Sequence, residues 1–158
     1  MTVPGAGYGG YIKLSEIIEK KEVLFGKIFF LFKDDLAYAD GKVMQGLKIL
    51  GDYAQIKGVH YTSWENATQI RSMKRIEPSL DDPFVYISEP GKMDAWSESM
   101  IQKELGSVSA DTKVMVTVLS PVNKIWIKAS RNVVHYAIEG IVPGEIKSID
   151  IQRRKAVA

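Results

Sequence analysis

Cysteine is absent from this chain of 158 residues, and histidine occurs only twice, as His60 and His135. Without cysteine there is no thiol nucleophile, no disulfide and no thiolate-held zinc. The compartment stays open, because a cysteine-free chain works in reducing and oxidising surroundings alike. The two histidines are 75 positions apart, outside any H-x-x-x-H or H-x-H pattern, so no metal site is expected. No apolar run has the length of a membrane span. "VLFGKIFFLF" (23–32) is interrupted by Lys27 and ended by Lys33-Asp34-Asp35. Charge of one sign is lacking as well: 21 Lys and Arg stand against 19 Asp and Glu, and both signs are spread evenly. The one basic cluster is Arg153-Arg154-Lys155, which is no basic stripe, so DNA is not expected as a partner. There is no G-x-S-x-G nucleophile turn and no G-K-[ST] phosphate loop, and "GAGYGG" (5–10) follows no strand.

What is present suits a soluble domain with a small appendage, with 46% hydrophobic and 25% charged residues. "MTVPGAGYGGY" lacks the pattern of a signal peptide and reads as a flexible glycine-rich lead-in, such as is left where a segment is cut from a longer chain. Residues 12–57 read as helical. "YIKLSEIIEKKEVLF" places Ile12, Leu14, Ile17, Ile18 and Leu24 near one face, and "DDLAYADGKVMQGLKILGDYAQI" has a looser helical pattern weakened by Gly41 and Gly46. The texture changes after Gly58. "VHY" predicts a short strand. Thr62-Ser63-Trp64-Glu65 fits a capping box led by Thr62, with a helix running to about Lys74. "FVYIS" (84–88) predicts a strand, "DAWSESMIQKEL" (94–105) a surface helix stopped by Gly106. "KVMVTVL" (113–119), "KIWIK" (124–128), "VVHYAIE" (133–139) and "EIKSIDIQ" predict further strands. The expected fold is α+β: an N-terminal lead-in and helical accessory region over 1–57, then a mixed, mainly antiparallel sheet with two helices over 58–158.

The chemistry-bearing residues left by these exclusions are dispersed: His60-Tyr61, Tyr86-Ile87-Ser88, Trp96 and Glu139. The "HYTS" strand opening a helix, the aromatic "VYIS" strand and the late strand ending in a glutamate resemble the H-Y-E class of ADP-ribosyltransferases. That class includes diphtheria-toxin-like toxins and poly(ADP-ribose) polymerases. Within it the chain is most similar to the C-terminal toxin domains of bacterial polymorphic effectors of the Rhs or contact-dependent-inhibition type, over about residues 58–152.

The resemblance implies an enzyme that uses NAD as substrate and transfers ADP-ribose to a target-cell macromolecule, protein or RNA. A glycohydrolase that hands the ribose to water, depleting NAD, would share the site. His60, with Tyr61 and Thr62 beside it, would hold the ribose, and Tyr86 and Trp96 would stack on the nicotinamide near Ser88. Glu139 would stabilise the developing oxocarbenium charge. It shares a strand face with His135 and Ala137, while Val134, Tyr136 and Ile138 face the core. Ser88 stands where a second tyrosine would complete a pair. Ala137 replaces the acidic or amide residue of arginine-modifying relatives, which makes arginine a less favoured acceptor. The resemblance also implies delivery into the cytoplasm of a target cell and a cognate immunity protein in the producer.

Three alternatives stand beside this reading. His60, His135, Arg131 and Lys128 could serve as acid, base and phosphate clamps of an RNA-cleaving toxin. The chain could be a non-catalytic module docking through 12–57. Glu89 and His135 are rivals of Glu139 and His60, and each named residue has a plain packing role open to it.

Overall fold

The structure, a computed structural model, describes residues 4, 10–19, 37–39, 42–44, 46–106, 109–131, 133–140, 142–143 and 148–153. In chain order the elements are β1 (Ile12–Lys13), α1 (Leu14–Glu19), β2 (Ala37–Ala39), β3 (Lys42–Met44), β4 (Leu47–Leu50), β5 (Tyr53–Thr62), α2 (Trp64–Met73) and β6 (Arg75–Ile76). They continue with β7 (Phe84–Ser88), α3 (Glu98–Leu105), β8 (Thr112–Pro121), a 3-10 turn (Val122–Lys124), β9 (Ile125–Ser130), β10 (Val133–Glu139), β11 (Val142–Pro143) and β12 (Ser148–Arg153). Eight strands make one sheet in the order β1-β9-β10-β7-β5-β8-β12, with β4 beside β5. Its neighbours pair antiparallel. The α+β class and the mainly antiparallel sheet are as expected.

The helical reading of 12–57 is corrected where residues are described. Only Leu14–Glu19 is helical there, and 37–39, 42–44 and 46–57 are strand and turn. The physical reason lies in the glycines. Gly46 and Gly51 cut the segment into pieces too short for a helix, and Leu47, Ile49, Ala54 and Ile56 alternate with less buried residues. At Gly46 the backbone takes φ +100° and approaches the Lys57 carbonyl so closely that a Cβ would collide with it. The "VLFGKIFFLF" run lies outside the described residues. β5 is one unbroken strand through positions 57 and 58.

Around α2 the capping differs by one residue from expectation. Ser63, not Thr62, is the N-cap, and its hydroxyl accepts from Asn66 N–H at 3.1 Å. Thr62 Oγ1 instead accepts from Asn66 Nδ2 at 2.8 Å, while Glu65 points to solvent. α3 is shorter at its front than predicted, because Ser97 caps it by accepting from Met100 N–H. Gly106 ends it in the left-handed region, as its placement predicted.

One face of the sheet is the core. Val134, Tyr136 and Ile138 of β10 meet Val85 and Ile87 of β7, Ile56 of β5 and Val114, Val116 and Val118 of β8, under Ala67 and Ile70 of α2. Each such side chain contributes about 1.5–3 kcal/mol by leaving water. Gly58 belongs to this face for want of room: a Cβ there would lie 2.6 Å from Ile87 Cγ2 and 2.6 Å from the Ser88 carbonyl oxygen.

Candidate functional site

The opposite face of the same strands carries the chemistry. Register lines its side chains up in lateral rows. In one row Ser88 stands opposite His135, and His135 opposite Lys128. In the next, Tyr86 stands opposite Ala137, Ala137 opposite Trp126 and Trp126 opposite Lys13. In the third, Phe84 stands opposite Glu139. Strand alternation alone brings these residues together, although they come from four separate stretches of chain.

The first row is a buried chain of hydrogen bonds. Ser88 Oγ lies 2.8 Å from His135 Nδ1, and His135 Nε2 lies 2.9 Å from Glu104 Oε2. Ser88 and His135 are each only 1% exposed. Glu104 comes from α3, and Arg131 Nε approaches its other oxygen at 3.7 Å. The hydrogen bond from His135 holds the Glu104 carboxyl below the usual carboxylate range against the opposing effect of burial, helped by the charge of His135, Ser130 and the charge of Lys128. An ionised carboxylate only accepts, so His135 Nε2 carries a hydrogen. In a neutral imidazole this leaves Nδ1 to accept from the Ser88 hydroxyl. Burial pushes the Lys128 ammonium below the ordinary lysine range, partly offset by Glu104.

Such a Ser–His–Glu line suggests acyl transfer, but its setting argues against that. Ser88 sits in the middle of the sheet, between β10 and β5, not on the sharp strand-to-helix turn that exposes a nucleophilic serine. Its physical effect is to pin α3 to the sheet and to orient Ser88.

The second row is aromatic. Tyr86 hands its hydroxyl hydrogen to Asp82 Oδ2 at 2.6 Å, and Asp82 Oδ1 accepts from Phe84 N–H at 3.0 Å, which fixes the ring. The Tyr11 ring lies against Tyr86 with centroids 5.9 Å apart, tilted 55°. Lys128 Nζ stands 5.3 Å from the Tyr11 centroid and Lys13 Nζ 5.9 Å from that of Trp126. The Tyr11 phenol is pushed above its ordinary value by burial first, and then by Tyr86, Glu104 and Asp82. Tyr11 therefore reaches over both rows.

His60 is placed differently from the rest. It faces the core side, opposite Val114. β5 and β7 touch at one bridge, Val59 with Ser88, and part beyond it. Beside that bridge His60 Nδ1–H donates to the Tyr86 carbonyl at 2.7 Å and ties the two strands together. Burial lowers its pKa below the ordinary histidine value, opposed by that bond. The imidazole is held neutral, with Nε2 as an acceptor.

No protein-family model, curated protein or solved structure matches this chain. The geometry stands by itself. Of the residues singled out in the sequence, Tyr86 and Ser88 share the chemical face with His135, and Glu139 lies on that face one row beyond Tyr86, exposed at the strand end. His60 meets Tyr86 through the backbone only. Trp96 and Tyr61 pack instead in a separate cluster with Val59, Met93, Ile101 and Leu105, away from Tyr86. The ring found against Tyr86 is that of Tyr11. Thr62 is engaged with Asn66. Glu89, the rival carboxylate, is buried and accepts from Val134 N–H at 3.2 Å.

Glu104, Tyr11, Asp82 and Trp126 escaped the sequence reading. Glu104 left a signal: on α3 it lies three positions after Ile101 and one before Leu105, a carboxylate beside the buried stripe. Tyr11 left none, because nothing in its glycine-rich surroundings indicates where it docks. Among the described residues no group of three His, Asp or Glu could hold a metal ion, and no helix is long and apolar enough to cross a membrane.

Proposed function

We propose that this chain breaks the nicotinamide–ribose bond of NAD and passes ADP-ribose to a macromolecule of a target cell or, as a glycohydrolase, to water. The observation that best supports the reading is the 2.7 Å hydrogen bond from His60 to the Tyr86 carbonyl, made between β5 and β7 beside their bridge. It joins the two short motifs on which the resemblance to H-Y-E ADP-ribosyltransferases rests. In the reaction the bond between C1′ and the ring nitrogen breaks, and its electron pair neutralises the pyridinium. The acceptor's lone pair then bonds to C1′, and the acceptor loses a proton.

Each requirement has a candidate among the placed residues. Tyr86, held by Asp82, offers a face for the nicotinamide ring. His60, on the core side of the sheet, acts on this face through its bond to the Tyr86 carbonyl and so positions Tyr86. Glu139, exposed on the chemical face, is the candidate to stabilise the developing cation, and Glu104 is the ionised carboxylate deeper in the same face. In this reading the chain is the enzymatic part of an effector delivered to the target-cell cytoplasm, and an immunity protein in the producer blocks the cleft.

The test is nicotinamide release from NAD, with and without target-cell lysate. Release by the native chain, lost in Glu139→Gln and His60→Ala chains that still melt cooperatively, supports the reading. No release under either condition sinks it. A second reading draws on a specific gathering: His135, Lys128 and Arg131, three of the four residues expected of an RNA-cleaving site, surround Glu104. Their pairing with that carboxylate leaves little free positive charge for a phosphate, which ranks the reading second. Cleavage of RNA without NAD would reverse the order.

A further inference from the structure

The second row of the chemical face presents a puzzle of coverage. Ala137 is fully buried and Trp126 and Lys128 are 7% and 8% exposed, yet the apolar side chains of α3 lie elsewhere. Ile101 and Leu105 pack on Val59, Tyr61 and Val133, toward the other end of β10. Ala137 is the small residue of its row, flanked in register by Tyr86 on one strand and Trp126 on another. A shallow slot between two aromatics, floored by a methyl group, suits a flat ring. Tyr11 is the residue found against it. Its ring meets Tyr86 at 5.9 Å and lies within 5.3 Å of Lys128 Nζ.

We propose that Tyr11 is the internal occupant of a ring-binding site formed by Tyr86, Trp126, Ala137 and Lys128, and that a substrate ring enters by taking its place. The identity of that ring as nicotinamide rests on the NAD reading; the existence of the site does not. Tyr11 is well suited to be displaced. It is anchored by β1, a strand of two residues that, among the described residues, pairs with β9 alone and lies at the sheet edge. The lateral contacts it makes, ring against ring and cation near a ring face, are ones that a flat ring would reproduce. Swinging Tyr11 away breaks no paired strand in the centre of the sheet, and it uncovers the floor of the site together with the approach to the Ser88–His135 line. Neither a further ligand nor a chemical step is needed, only competition between two rings for one place.

The test compares the native chain with Tyr11→Ala and Tyr11→Phe in NAD turnover, and adds a probe that needs no turnover. If the binding-competent state is about a tenth of the population, Tyr11→Ala lowers KM for NAD about tenfold with kcat little changed, while Tyr11→Phe, which keeps the ring, stays near the native value. In a chain carrying Trp64→Phe and Trp96→Phe, Trp126 is the remaining tryptophan. Quenching of its fluorescence by N-methylnicotinamide should be weak with Tyr11 present and strong with Tyr11→Ala. Lys13→Ala, which loosens β1 from Trp126, should act in the same direction and serves if Tyr11→Ala fails to fold. A raised KM or a lost kcat in Tyr11→Ala, with Trp126 no easier to quench, would make Tyr11 a fixed wall and overturn the proposal. If no variant releases nicotinamide, the NAD reading falls and the quenching comparison alone decides the occupancy.

Discussion

β10 turns Val134, Tyr136 and Ile138 to one side and His135, Ala137 and Glu139 to the other, and the two sides do different work. On the core side contacts are interchangeable in kind: apolar groups from eight strands, α1 and α2 exclude water, and any one of them is replaceable by another of its volume. On the chemical side nothing is interchangeable. Ser88, His135 and Glu104 must stand in line, Tyr86 depends on Asp82, and Tyr11 depends on an edge strand of two residues. A sheet thus separates stability from chemistry by alternation alone, at a spacing of one residue.

The sharpest way to break the core side is Ile87→Ala, which empties a fully buried site between β5 and β10. It is expected to cost about 4 kcal/mol in denaturant unfolding. On the chemical side the largest expected loss is smaller and of another origin. Glu104→Ala leaves the buried His135 Nε2–H without its acceptor and the buried Lys128 ammonium without its countercharge, and should cost about 3 kcal/mol. Replacement by Leu should cost less in stability and the same in function, since it restores volume but not charge. A loss as large in Glu139→Ala as in Glu104→Ala would contradict this contrast, because an exposed strand-end carboxylate should change stability by no more than about 0.5 kcal/mol.

Acid should separate the faces as well. His60 has its folded-state pKa below the ordinary 6.5, so the unfolded chain binds the extra proton first as pH falls. The stability tied to neutral His60 is full above 6.5 and is lost as pH drops toward the folded value. Glu104 has its folded-state pKa below 4.5, so its contribution holds above that value and disappears as pH falls through the depressed one. Unfolding curves across the acid range should therefore show two successive losses. His60→Gln should flatten the first and leave the second, and an unchanged first loss would remove His60 from the account.

One small effect is expected to be a gain. The Tyr136 hydroxyl is buried in the core without a hydrogen-bond partner, and burial, with Glu89 nearby, pushes its pKa up. Tyr136→Phe should raise stability by about 1 kcal/mol in thermal or chemical unfolding. A loss instead would show that the hydroxyl is satisfied.

Much of the sheet was legible in the chain. "FVYIS" is β7 residue for residue, "VVHYAIE" is β10, and the division of β10 into two faces follows from period two. The strands of 37–57 were not legible as strands, because short apolar pieces between glycines match either period until partners are known. The capping box slipped by one residue since Thr62, Ser63 and Asn66 all carry groups able to serve. The candidate site was legible only in part. Tyr86 and Ser88 were found from their strand, and His135 was kept as a rival. Glu104 was passed over inside a helix that looks like a surface helix, and Tyr11 inside a lead-in that looks featureless.

By itself the sequence determined what is local: which stretches alternate, where Gly106 ends a helix, which residues of one strand share a face, and that thiol chemistry is excluded. Only the tertiary structure decided which strands are neighbours. Strand order sets His135 between Ser88 and Lys128, brings β5 against β7 beside His60, and lays Tyr11 on Tyr86. Lateral contacts in a sheet join residues far apart in the chain, and their energy depends on register and partner, which no short window of sequence contains.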